Sequence, residues 1–86
     1  MKIVYHRTFL RRFKKLAKKE KQKTKKQLVV FLEDEFNPIL NNHPLKGKFL
    51  GYRSINITGD LRAVYKSKDK NTRVFVVIDT HSNLYQ

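Results

Sequence analysis

Residues 53–80, RSINITGDLRAVYKSKDKNTRVFVVIDT, decide the fold. Ile55 and Ile57 alternate with Ser54, Asn56 and Thr58. Period-two alternation marks a strand with two unlike faces. Thr58-Gly59-Asp60 is a turn, and LRAVYKS alternates again behind it. Lys68-Asp69-Lys70-Asn71 is a second turn, after which TRVFVVIDT is the longest β-branched run in the chain. Such a run predicts a central strand buried on both faces. Turns this short between successive strands imply antiparallel pairing.

Towards the N-terminus the period changes. NPILNNHPLKGK, residues 37–48, is a loop rich in Asn and Pro. Before it, Leu28, Val29, Phe31, Leu32 and Phe36 space as one side of a helix, expected to end at Asn37-Pro38. KKEKQKTKKQ, residues 18–27, is a polar interruption that reads as the turn between two helices. The first helix follows from Phe9, Leu10, Phe13, Leu16 and Ala17, with Thr8 as its expected cap. KIVYH, residues 2–6, reads as a strand. The expected class is α+β in the order β-α-α-β-β-β. An αα-hairpin packs on a small, mainly antiparallel four-stranded sheet, in a single domain spanning 1–86.

Charge speaks next. Lys and Arg number 20 against 7 Asp and Glu, a formal net charge of +13. Twelve of the basic residues lie in residues 1–26, beside a single acid, Glu20. An excess of this size predicts a polyanionic partner, nucleic acid or an acidic protein. Cysteine is absent, which excludes disulfides and thiolate metal sites and suits a cytoplasmic location. No apolar run approaches the ~20 residues that span a bilayer, and the apolar sides of the helices are needed to cover the sheet, so no membrane partner is expected.

The three glycines form neither a dinucleotide fingerprint nor a P-loop, and no His/Cys cluster has zinc-ligand spacing, so no metal or cofactor is expected. What remains is a set of proton-transfer and phosphate-binding groups: His43, Lys46, Lys48, Arg53, Asp60, Arg62, Lys66, His81 and Tyr85. RNA cleavage without a metal needs a base for the 2′-hydroxyl, an acid for the leaving 5′-oxygen and cations for the transition-state charge. Histidine and aspartate serve the first two roles, and arginine's forked donors suit the third.

HPLKGKFLGYRSINITGDLRAVYK, followed by VFVVIDTHSNLY, resembles the RelE/YafQ family of bacterial toxin–antitoxin ribonucleases, and the YafQ branch most of all. YHRTFLRRFKKLAKK is similar to that family's first helix. The resemblance implies the β-α-α-β-β-β fold read above. It also implies metal-independent cleavage of mRNA in the ribosomal A site, with contacts to ribosomal RNA, and inhibition by a cognate acidic antitoxin. The free toxin is expected to be a monomer.

Carried over by residue, the resemblance makes His81 the general acid and places His43 and Asp60 beside it in the catalytic set. Arg62 would meet the scissile phosphate and Tyr85 would stack on a base. Arg53, Asn56, Lys46, Lys48 and Lys66 would contact RNA. Asn56 is a departure, because the branch carries a second histidine there, and asparagine cannot exchange a proton near neutral pH. Two other functions share the scaffold: a catalytically weak or inactive protein that binds RNA or antitoxin, and a ParE-like gyrase inhibitor. His43, Asp60 and His81 occurring together argue against the latter.

Overall fold

The computed structural model describes residues 1–85. Strand β1 (Lys2–Tyr5) leads into α1 (Arg7–Lys14) and α2 (Lys18–Glu33). A two-residue strand β2 (His43–Pro44) precedes β3 (Arg53–Asn56), β4 (Leu61–Asp69), β5 (Thr72–Thr80) and a one-turn helix α3 (His81–Leu84). The five strands form one sheet in the order β1-β5-β4-β3-β2. β1 runs parallel to β5, and the other neighbours are antiparallel.

The α+β class and the helix pair on a mainly antiparallel sheet stand as expected. The sheet has a fifth strand because His43 and Pro44 pair with Ser54 and Arg53, a ladder too short to leave any alternation. β4 is central, and β5 lies between β4 and β1.

Alternation sorts the sheet residues into two cores. Phe9 of α1 and Leu28 and Phe31 of α2 pack on Ile55, Ala63, Tyr65, Phe75 and Ile78. The opposite face holds a smaller cluster of Leu45, Val64 and Leu84, with Phe49, Tyr52, Val76 and Val77 against it. Val74, Val76 and Val77 are only half-buried, so β5 is fully covered on the helix side alone.

Three boundaries differ from the sequence reading. Residues 18–27 are helix, not turn, because the link between the helices is confined to Lys15–Ala17. The Glu20 carboxylate accepts from the Ala17 amide at 3.0 Å and caps α2. The buried side of that half-helix is polar: Thr24 Oγ1 donates to the Glu20 carbonyl at 2.7 Å, and Gln27 Nε2 donates to the Asn56 carbonyl at 3.1 Å. α2 stops at Glu33, and Asn37-Pro38 instead opens a 3-10 turn through Leu40. The cap of α1 is His6, whose Nδ1 accepts from the Thr8 amide at 3.1 Å; Thr8 lies inside the helix.

The acidic run Glu33-Asp34-Glu35 has a structural member. Glu35 takes Arg73 through Nε and Nη2, both at 3.2 Å, and the Tyr65 hydroxyl at 2.7 Å. Burial works to raise the Glu35 pKa, but the hydrogen bonds from Arg73 and Tyr65 and the Arg73 charge outweigh it and hold the carboxyl below its usual range. Burial, foremost, pushes the Tyr65 phenol up to about 12.

Candidate active site

The helix-free face of the sheet gathers most of the chemistry-bearing residues. Directly opposed residues share a face. The register Asn56↔Arg62↔Asp79 therefore forms one row across β3, β4 and β5. His43↔Ser54↔Val64↔Val77 is the next. Lys66↔Val74 lies further along.

At the Arg62 end the chain folds back as α3. Four residues cannot hold a helix unaided. Leu84 anchors this turn, only 4% exposed and packed with Leu45 and Val64. The Thr80 hydroxyl accepts from the Asn83 amide at 3.2 Å and caps it. The His81 amide donates to the Asp60 carbonyl at 2.8 Å, tying α3 to the β3–β4 turn. The imidazole of His81 is thereby exposed at the rim, with the Tyr85 ring 4.8 Å away between centroids.

Arg62 is half-buried, and its Nη1 donates to the carbonyls of Thr58 at 2.9 Å and Leu61 at 3.3 Å. No carboxylate among the described residues pairs with it. It thus presents a cation oriented by neutral groups, the form suited to an incoming phosphate. Asp79, its neighbour in the row, is engaged elsewhere, by Arg12 of α1 and by the Thr80 amide and Asn83 side chain.

His43 Nδ1 lies 2.9 Å from the Asn41 carbonyl. A carbonyl only accepts, so Nδ1 is the donor, and in the neutral ring Nε2 carries the lone pair. Asn56 Oδ1 is buried without a hydrogen-bond partner, as is Ser54 Oγ.

The structure therefore brings Asn56, Arg62, Asp60, His81 and Tyr85 to one end of the open face, with His43 one row further along. Lys66, Lys48 and Lys46 are exposed, and the first two flank a groove floored by Val74, Val76 and Val77. Arg53 does not join them. Alternation puts it on the helix side with Ile55, where its Nε donates to Asn42 Oδ1 at 2.8 Å and its guanidinium covers the Phe36 ring at 5.1 Å. The structure thus does not bring it to the face that gathers the other candidates.

The sequence reading missed Tyr52 and Phe49, which wall the groove, and His6 and Thr8, which close it from the α1 side. The aromatic pair lies in FLGY, residues 49–52, at the end of a 3-10 turn spanning Gly47–Phe49.

A helix pair on one sheet face, with His, Arg and Tyr candidates gathered on the other, is the arrangement the resemblance to RelE/YafQ-type toxins implied. The family of bacterial toxins of type II toxin–antitoxin systems named YafQ matches residues 1–86, and the chain belongs to that family. The crystal structure of YafQ from E. coli is similar at 26% identity, covering 98% of this chain and 97% of that one with a TM-score of 0.79. YafQ in the E. coli DinJ–YafQ complex is 30% identical over 98% and 97% of the two chains, with a TM-score of 0.72. A YoeB/ParE toxin from Agrobacterium tumefaciens, 22% identical over 94% and 99% with a TM-score of 0.77, shares the fold. No curated protein matches the chain.

Proposed function

We propose that the chain, as a single toxin domain, is an endoribonuclease that cleaves mRNA in the ribosomal A site of cytoplasmic 70S ribosomes by acid–base chemistry. The observation that carries this reading is the attachment of α3, which bears His81, at the end of the sheet that holds Arg62: α3 is held by Leu84 and by the His81–Asp60 backbone bond, and Arg62 pairs with no carboxylate among the described residues.

In this reading Arg62 receives the scissile phosphate. His43 Nε2, or the Asp60 carboxylate at the turn, takes the proton of the 2′-hydroxyl as that oxygen attacks phosphorus. His81 gives a proton to the departing 5′-oxygen, leaving a cyclic phosphate and a 5′-hydroxyl. Tyr85 stacks on an unstacked base beside His81. No residue here requires a metal for its part. Asn56, at the position of the branch's second histidine, supplies an amide and no acid or base, so the proton transfers fall to the other residues.

The partner in the cell is an acidic antitoxin, as the complex of YafQ with DinJ supports. Twelve basic residues within positions 1–26, mostly exposed on α1 and α2, suit such a partner. The free toxin is a monomer in this account. The test is a defined mRNA on programmed ribosomes with purified protein, mapping 5′ ends by primer extension. A-site cuts by the wild type that vanish in His81→Ala are expected. A folded, ribosome-bound wild type that makes no cuts refutes the reading, and a catalytically silent binder then stands in its place.

A further inference from the structure

The groove beyond the His81 cluster has a volume of about 540 Å³. Tyr52, Phe49 and Lys48 wall one side, His6 and Thr8 the other, and Lys66 rises from β4. Its chemistry is that of a flat, apolar ligand with an anion attached. The two aromatic rings meet edge to face at 5.9 Å over an aliphatic floor. The Lys66 ammonium stands 5.5 Å from the Tyr52 ring centre and the Lys48 ammonium 5.5 Å from that of Phe49. No carboxylate among the described residues lines the groove.

His6 adds a fixed polarity. Its Nδ1 accepts the Thr8 amide, so the ring proton resides on Nε2, a donor of defined tautomer at the groove wall. Thr8 lines the same wall. Lys66 is four residues from Arg62 on β4 and on the same face. At about 3.4 Å per residue this places the groove about 14 Å from the guanidinium, a span that a single strand covers in a few nucleotides.

We infer that this groove is a nucleotide subsite: it stacks one base of a single RNA strand on Tyr52 and holds the adjoining phosphate between Lys48 and Lys66. His6 and Thr8 read the base edge, and so set a sequence preference away from the cleaved bond. An acidic protein segment would satisfy the lysines but leave the aromatic wall and the His6 donor without a role. The inference rests on RNA as the substrate of the same sheet face.

The experiment uses the full chain, isotope-labelled, titrated by NMR with 2′-O-methyl hexanucleotides of A, C, G or U. These lack the attacking hydroxyl and cannot be cut. Shifts are expected at residues 6–8, 48–52, 66 and 74–77. Tyr52→Ala, with a folded spectrum, is expected to weaken the preferred oligomer roughly tenfold or more. His6→Ala is expected to flatten the preference among the four. Shifts confined to the lysines of α1 and α2, or affinity indifferent to both Tyr52→Ala and Lys66→Ala, overturn the inference. So does a polyglutamate peptide that moves these residues when no oligomer does, which makes the groove a protein-docking site. Cleavage on ribosomes without binding here refutes the subsite alone, whereas binding here without cleavage by the wild type refutes the nuclease reading alone.

Discussion

Leu84→Ala tests whether the position of His81 depends on one side chain. Leu84 is 4% exposed against Leu45 and Val64, and α3 has only four residues. Truncation removes three buried carbons, about 2–3 kcal/mol at ~0.8 kcal/mol per carbon, before any cavity cost. Against this, the Thr80 cap and the His81–Asp60 backbone bond contribute about 1 kcal/mol each. Losing 2–3 kcal/mol shifts the docked-to-undocked ratio of α3 by roughly 30- to 150-fold; ordering its four residues costs about 1–2 kcal/mol each, more than the two remaining bonds return, so α3 is undocked most of the time. Hydrogen exchange should then show the Tyr85 amide, bonded to the His81 carbonyl at 3.2 Å, losing protection while β5 keeps its own. Ribosome-dependent cleavage should fall by about 10- to 100-fold. Undocking with full cleavage would refute the claim that α3 positions the acid. Unchanged Tyr85 protection would refute Leu84 as the anchor.

Further outcomes follow from the Glu35 network. Glu35→Ala strips Arg73 and Tyr65 of a charged acceptor and should cost about 2–3 kcal/mol, a drop of roughly 10 °C or more in Tm by calorimetry. Because the Glu35 pKa is depressed in the fold, its stabilisation is complete above the unfolded carboxylate value and lost as pH falls through the folded one. Urea melts of wild type should therefore weaken on acidification more steeply than those of Glu35→Gln. At the alkaline end the sign reverses: the fold favours the neutral phenol of Tyr65, raised to about 12, so its contribution is whole below pH 10 and lost as pH rises towards 12. The wild type should lose about 2–3 kcal/mol over that interval, and Tyr65→Phe should not show that component.

β3 and β4 were legible because the alternation of their helix-facing buried residues is complete. Ile55, Ile57, Leu61, Ala63 and Tyr65 all face the helices, as period two requires. The same rule places Arg53 on that side, since it shares parity with Ile55; spacing alone thus separates it from Arg62. The first half of α2 was illegible for a physical reason. Its buried positions are Thr24 and Gln27, polar residues made compatible with burial by bonds to the backbone, so no apolar period exists to read. β2 pairs only two residues and left no pattern either.

Within the candidate site, residue chemistry named His81, Asp60, Arg62 and Tyr85 only as members of a larger set, and their expected roles came from resemblance to a family. Their nearness arises from pairs remote in sequence, Leu61↔Thr80 and Arg62↔Asp79. Tyr52, Phe49 and His6 escaped notice because their common groove exists only once β1, β5 and the 46–52 segment are assembled. The tautomers of His6 and His43 are likewise set by bonds to the backbone at positions 8 and 41.

The most direct test of the central claim is the cleavage rate of His81→Ala on programmed ribosomes, compared between an ordinary mRNA and one whose scissile 5′-oxygen is replaced by sulfur. A thiolate leaves without a proton, so the variant should be slower than wild type by about 10²–10⁴ on the oxygen substrate and nearly equal to it on the sulfur one. An equal deficit on both substrates would contradict the assignment of His81 as the general acid.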